Sequence, residues 1–319
     1  MLNSSKQLVK RIGLEPYWYI ILLLAVAMAG IYGYHLNTYK MPGRVAITLP
    51  FINLPVYWYG ILIVGGIILG AYTVTFQVKR RGLDPDHVWG GLTWAIVLAV
   101  IGARVYHILT PPPSMCASLG ICSALDYIKD PAKLVDLRSG GLGIYGAIVG
   151  ALLGIYLYGR RYKIDWLAYV DLGAYGLALG QFVGRWGNFF NQELYGKPTN
   201  LPWAVYIQHP IPEHAAHHTF HPAFLYESLW NFLTFLLLFT LAQRYGKKLL
   251  RGELLGLYLI LYPLGRILLE TVRLDSPTFI FNGQDTGVNI ASVLAASVLV
   301  LAAATLLIRR QRARQGQAG

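Results

Sequence analysis

The chain has 319 residues, 55% of them hydrophobic and 13% charged, with a formal net charge of +12 and a mean hydropathy of +0.46. That composition belongs to a membrane protein and excludes an ordinary soluble globule. The positive balance does not indicate nucleic acid, because the basic residues sit in short clusters between apolar stretches, which is a topological signal.

A spanning helix needs about 20 mostly apolar residues. Eight such stretches are predicted, at 17–34, 56–76, 88–109, 142–159, 166–184, 223–242, 253–271 and 287–308. Basic clusters lie before the first (Lys6, Lys10, Arg11) and after the second (Lys79, Arg80, Arg81). Others follow the fourth (Arg160, Arg161, Lys163), the sixth (Arg244, Lys247, Lys248, Arg251) and the last (Arg309, Arg310, Arg312, Arg314). Seventeen of the 27 basic residues thus fall on alternate connections. The positive-inside tendency assigns those connections, and both termini, to the cytoplasm. The outer connections are then 35–55, 110–141, 185–222 and 272–286. No soluble domain separates from this pattern, which reads as one all-α polytopic membrane protein.

The first span has two readings. Basic residues, an apolar run and Ala27-Met28-Ala29 also fit a cleavable signal, so a retained helix and a removed leader both stand. Tyr59, in VYWYG, begins the second span; Tyr57 and Trp58 beside it read as interfacial aromatic anchors. Arg104 lies near the outer end of the third span. Cys116 and Cys122 follow in an outer connection, where a local disulfide can persist. They are too few for a disulfide scaffold or a zinc cluster. Tyr145, in GGLGIYG, enters the fourth span behind glycines that predict irregular backbone, tolerable at membrane depth only against a cavity. Glycines 146, 150 and 154 recur every fourth residue and read as a close helix-packing face. Asp171, nearer the cytoplasmic end of its helix, reads as a structural hydrogen-bonding partner.

The stretch GRWGNFFNQELYG, residues 184 to 196, carries the most chemistry. It puts Arg185, Asn188, Asn191 and Glu193 at the mouth of an apolar helix, where ionisable groups are costly and mark function. Glycines let the backbone turn and approach closely. A guanidinium beside amides is suited to hold a phosphate, so these residues predict a site gripping a phospholipid head group. The outer connection continues as a small cap at about 190–222, with Trp203, Tyr206 and five of the eight histidines. His214, His217, His218 and His221 would share a face if helical, but no cysteine or acidic ligand flanks them at a metal-site spacing. They read as solvated loop histidines, with His221 a candidate for the site wall.

Glu227 lies near the outer start of the sixth span. Arg266 and Glu270 lie toward the outer end of the seventh, with Arg273 just beyond. Arg266 and Glu270 are four apart and can pair along one helix face. Four outer arginines (104, 185, 266, 273) against Glu227 and Glu270 predict ion pairs with cationic capacity to spare, since isolated buried charges are too costly. No GxSxG elbow, Walker loop or HExxH motif occurs, which argues against a covalent serine enzyme, an ATPase or a zinc protease. Nor do the halves repeat with inverted topology. A channel or general anion transporter is disfavoured because the polar groups cluster at one leaflet and line no continuous path.

GRWGNFFNQELYG resembles the signature of the bacterial prolipoprotein diacylglyceryl transferases, Gly-Arg-x-Gly-Asn-Phe-x-Asn-x-Glu-x-x-Gly. The resemblance runs over roughly residues 50 to 310, with WYG at 58–60, GARVYH at 102–107, GGLGIYG at 140–146, HPAFLYE at 221–227 and GRILLETVR at 265–273, in the family's order. It implies a seven-helix core facing the periplasm or cell exterior, and so divides the chain into an N-terminal extension (1–50) bearing the extra span and a transferase membrane domain (51–319). It also implies a multi-pass protein of the bacterial inner membrane with a cytoplasmic C-terminus. The implied activity is transfer of the diacylglyceryl group of phosphatidylglycerol to the lipobox cysteine of a prolipoprotein signal peptide, without metal or other cofactor and without nucleic acid as partner.

By matched position Tyr59, Arg185, Asn188, Glu193, Gly196 and Arg266 correspond to residues the family relies on. Arg185 and Arg266 are expected to bind the phosphate and stabilise its developing charge. Asn188 and Asn191 are expected to donate to phosphate or glycerol oxygens, and Glu193 to orient an arginine or accept the thiol proton. Tyr59 and Tyr145 suit hydrogen bonding to the head group better than base chemistry, because a phenol pKa near 10 leaves phenolate scarce. Arg104, His221, Glu227, Glu270 and Arg273 complete the expected substrate-binding set. This chain departs from the resemblance at Tyr145, where many members have histidine, and in the added span at 17–34. A catalytically inactive lipid-binding or transport paralogue is the alternative that Tyr145 raises.

Overall fold

Uninterrupted apolar runs leave the backbone no partners but its own, so the chain forms helices where the spans are expected. The computed structural model describes residues 15–51, 53–111, 115, 116, 121, 123–130, 132–135, 141–246, 248–274, 278–281 and 284–315. Lys6, Lys10, Arg11, Cys122 and Lys247 of the sequence reading lie outside them. The helices in chain order are α1 (Pro16–Thr38), α2 (Trp58–Arg80), α3 (Asp86–Leu109), the short α4 (Ala124–Lys129) and α5 (Ala132–Val135), α6 (Ile144–Tyr162), α7 (Trp166–Gly184), the short α8 (Trp186–Asn191), α9 (Ala223–Tyr245), α10 (Glu253–Glu270) and α11 (Ile290–Gln315).

A helix thus stands at each of the eight expected spans. Of these, α1, α2, α3, α9 and α11 are long and apolar enough by length and composition to cross a membrane. The other three are shorter, at 19, 19 and 18 residues, and hold ionisable side chains: Arg160 and Arg161 end α6, Asp171 lies in α7, and Glu253, Arg266 and Glu270 lie in α10. The architecture is that of an all-α polytopic membrane protein.

Three antiparallel hairpins occupy connections that the sequence reading left without strands. They pair β1 (Val45–Leu49) with β2 (Leu54–Tyr57), β3 (Val205–Tyr206) with β4 (Thr219–Phe220), and β5 (Thr278–Phe281) with β6 (Gln284–Asn289). Residues 56–57 and 287–289, assigned above to spans, are therefore strand. Backbone that leaves a helix still needs hydrogen-bond partners, and a short ladder supplies them. The histidine run is not one helical face either: a single 3₁₀ turn at Pro212–His214 precedes β4. Among the described residues no three His, Cys, Asp or Glu side chains group as metal ligands.

The chain forms two units, one of residues 1–74 with 170–319, the other of residues 75–169. In the first, α2 and α7 meet backbone to backbone. A Cβ added at Gly70 would lie 2.4 Å from the Gly176 carbonyl oxygen, and one at Gly66 2.7 Å from that of Gly180. Asp171 on α7 accepts a 2.9 Å bond from the Leu255 N–H in the first turn of α10, where an anion also suits the helix dipole. Glu253 grips Arg310 of α11 at 2.5 and 2.8 Å. In the second unit, glycines 146, 150 and 154 of α6 face the carbonyls of Gly102, Leu98 and Trp94 on α3, with an added Cβ at 2.1, 2.0 and 2.5 Å. That is the close-packing face expected from their spacing. Cys116 is disulfide-bonded.

Candidate active site

Arg185 sits where two helices join. Its N–H still bonds the Gln181 carbonyl of α7 at 3.0 Å, and the residue is also the N-cap of α8. The α8 turn is tied to α9 through Trp186, whose indole Nε1 donates to Ser228 Oγ at 3.1 Å. Ser228 Oγ donates in turn to the Phe182 carbonyl at 2.9 Å. Phe189 and Phe224 pack beside it, with ring centroids 5.2 Å apart. Gln192 ends α8 in the left-handed region at φ 54°, turning the chain back toward the site.

That turn puts Glu193 under both asparagines of the signature. Asn188 Nδ2 donates to Glu193 Oε1 at 2.9 Å and Asn191 Nδ2 to the same oxygen at 3.2 Å. The Glu193 N–H bonds the Asn188 carbonyl at 3.1 Å. The amides therefore hold a carboxylate here, where the sequence suggested contact with phosphate; each amide nitrogen keeps a second hydrogen for another acceptor.

Glu227, buried at the start of α9, draws in three arginines from separate segments. Arg185 Nε lies 2.5 Å from Oε2, Arg273 Nη1 3.0 Å from Oε1 and Arg266 Nη1 3.9 Å from Oε1. Arg266 Nη2 also pairs with Glu270 at 3.1 Å, the four-residue spacing read from the sequence. Asn289 Nδ2 donates to Glu270 Oε1 at 2.6 Å. Three guanidiniums thus face two carboxylates, which leaves positive charge for an anion. Arg266 Nη1 is buried without a hydrogen-bond partner among the described residues.

Gly196 works through its backbone. Its N–H bonds the His221 carbonyl at 2.8 Å, and it bridges Arg273 in antiparallel fashion. A Cβ there would come within 2.4 Å of the Val272 carbonyl oxygen. Only glycine lets the cap run this close to the segment that presents Arg273. His221 Nδ1 is 3.2 Å from the Tyr226 hydroxyl, which also accepts from Trp203 Nε1 at 3.0 Å. Tyr59 packs on Gly187, where a Cβ would meet its ring at 2.6 Å. With Arg44, Asn191, Gln192 and Glu193, Tyr59 lines a groove of about 830 Å³.

Arg104 and Tyr145 belong to the other unit. The Arg104 guanidinium donates to the Leu134 carbonyl at 2.9 Å, to that of Gly141 at 3.0 Å, and to that of Lys133. Gly141, at φ +83°, leaves no room for a Cβ between the His107 and Arg104 side chains. Irregular backbone does precede α6, as its glycines suggested, and Tyr145 there is half-exposed against Tyr106.

Sequence reasoning missed Arg44, Ser228 and Asn289. Arg44 stands between Met41-Pro42-Gly43 and the strand β1, with no motif around it. Ser228 lies in the first turns of an apolar helix and Asn289 directly precedes another, a signal that was available.

The family described as prolipoprotein diacylglyceryl transferase matches residues 44–309. A Frankia alni protein named phosphatidylglycerol--prolipoprotein diacylglyceryl transferase is 38% identical over 261 residues, covering 81% of this chain and 64% of its own length. A Trichormus variabilis protein of the same name is 37% identical over 245 residues, 75% of this chain and 81% of the relative. One from Thermotoga petrophila is 36% identical over 223 residues, 69% and 71% respectively. The arginine–carboxylate cluster, the Glu193 clamp and the Tyr59 groove all lie within the matched region, and the chain belongs to the prolipoprotein diacylglyceryl transferase family.

Proposed function

We propose that this protein transfers the diacylglyceryl group of phosphatidylglycerol to the lipobox cysteine of a prolipoprotein signal peptide, the first step of bacterial lipoprotein maturation. The observation that carries this reading is the set of three arginines around Glu227, with Arg266 Nη1 buried and free of hydrogen bonds among the described residues. A phosphodiester would take up those donors, and its charge would offset the surplus of guanidiniums.

In the transfer, the cysteine sulfur attacks the glyceryl carbon that bears the phosphate oxygen. A C–S bond forms, the C–O bond breaks, and glycerol phosphate leaves with the electron pair. Arg185 and Arg266 stabilise the charge gathering on the leaving phosphate. A free thiol is only a few per cent ionised near neutral pH, so its proton must pass to an acceptor. Glu193, with Oε1 held by two amides, is our candidate; Asn188 and Asn191 set its orientation and Tyr59 faces the head group beside it. Arg273, Glu227 and Glu270 fix the arginines, and Gly196 and His221 seat the cap against them. The protein would lie in the bacterial inner membrane, its site toward the periplasm or cell exterior and its C-terminus in the cytoplasm. Residues 51–319 would form the transferase domain and 1–50 an extension. The inactive-paralogue reading rests on Tyr145 alone, and the relatives above are named as transferases, so the active reading is preferred.

The test is mass spectrometry of a lipobox-cysteine peptide incubated with the purified protein and phosphatidylglycerol. One diacylglyceryl group should appear on the cysteine with wild type and be absent with Arg185→Ala. Bound phosphatidylglycerol with no mass gain in the wild type would overturn the transferase reading.

A further inference from the structure

Helix α1 lies outside the matched family region, which begins at residue 44. Its residues Tyr17, Ile21, Met28, Tyr32 and His35 are nonetheless buried. Their spacing of three, four and seven makes one stripe along the helix, while Leu22, Leu23 and Val26 are exposed. Tyr17 and Trp18 pack on Phe239 of α9 at 6.0 and 5.2 Å between centroids. At the other end Tyr32 meets Trp186, Phe189 and Phe224 edge-on at 6.2, 5.7 and 5.8 Å. His35 meets Phe189 at 5.3 Å.

Two polar atoms of this buried end reach the cap. The Tyr32 hydroxyl donates to the Trp203 carbonyl at 2.8 Å. His35 Nε2 accepts from the Tyr206 N–H at 3.0 Å, so the ring hydrogen resides on Nδ1, which donates to the Lys40 carbonyl at 3.0 Å. Both His35 nitrogens are thereby used by main-chain groups 171 residues apart at one end and five at the other. Tyr206 belongs to the β3–β4 hairpin, which leads straight into His221 and the Gly196–Arg273 contact. Phe189 belongs to the α8 turn between Arg185 and Glu193. The same helix end therefore touches the signature turn and the cap.

We propose that α1 is retained in the working protein and that Tyr32 and His35 are positioning residues for the transfer reaction, holding the signature turn and the cap in register with the arginine cluster. This rests on the transferase reading. The neutral imidazole accepts at one nitrogen and donates at the other, a pairing that apolar side chains cannot reproduce. A glutamine can supply the acceptor to the Tyr206 N–H.

The experiment compares wild type with Tyr32→Phe/His35→Leu and with Tyr32→Phe/His35→Gln, full-length and in phosphatidylglycerol-containing micelles. Loss of two hydrogen bonds to the cap is expected to lower kcat by about tenfold. KM for phosphatidylglycerol should stay within about twofold, because the arginines themselves are untouched. The glutamine variant, which restores the bond to Tyr206 but not that of Tyr32, should recover about threefold of the lost kcat. Amide hydrogen exchange over 199–208 should speed up in the leucine variant and return toward wild type in the glutamine variant. Intact mass should show residues 16–38 present in protein isolated from membranes. Wild-type kcat in the leucine variant, or glutamine no better than leucine, would overturn the positioning role. Unchanged exchange would do so whether or not transfer is seen, so failure of the transferase reading shows separately, as a wild type without product. An intact mass beginning beyond Ala29 would overturn retention.

Discussion

Glu227 is the residue on which the cluster turns. Its carboxylate lies within 4 Å of three guanidiniums, and removing one partner of a buried pair leaves charge uncompensated. Glu227→Gln should therefore cut transfer by about 100-fold, equivalent to ~3 kcal/mol, with a lowered Tm in detergent. Transfer within a few-fold of wild type would mean the arginines hold their places without it. Gly196→Ala tests the backbone contact instead. The added methyl would meet the Val272 carbonyl, which is main chain and has little freedom to move. A loss of about 1–3 kcal/mol is expected from such overpacking, read as lowered Tm and lowered kcat together. At this scale the sequence was informative about residue identity and less so about partners. Arg266 and Glu270 pair as their spacing implied, because four residues on one helix is a local relation. Asn188 and Asn191 meet Glu193 only because Gln192 turns in the left-handed region, a detail that spacing does not carry.

At the scale of elements, glycine replaces side-chain packing where α2 meets α7 and where α3 meets α6. The α3–α6 pair is the clearest instance, and Gly150 approaches the Leu98 carbonyl most closely. Gly150→Leu should separate these helices and reduce the yield of detergent-stable monodisperse protein severalfold, measured by size-exclusion fluorescence. Gly173→Ala serves as the control, since a Cβ there meets nothing within 4 Å, and it should behave as wild type. A four-residue glycine repeat is legible because it needs only helical periodicity. The three hairpins were not legible. Their strands are four to six residues or as short as two, and no period distinguishes such segments from loop.

For the whole molecule, the alternation of basic clusters makes a prediction that no single helix makes. Cysteines introduced at Arg81 or Lys163 should resist a membrane-impermeant thiol reagent in intact cells, and one at the exposed His209 should react. Labelling at Arg81 would reverse the topology. Such charge patterning can be read because orientation responds to composition over whole connections, not to atomic contacts.

The sequence by itself determined that this is a polytopic membrane protein, roughly where its helices run, and which family signature it bears. Those properties depend on local composition, periodicity and short motifs, each confined to a few neighbouring residues. Tertiary structure alone decided that Glu227 gathers Arg185, Arg266 and Arg273, segments up to 46 residues from it. It alone decided that Tyr32 and His35 of the added helix reach the cap 171 residues away. Contacts of that span arise from which helix faces come to lie together, and a single chain's order of residues does not state which faces those are.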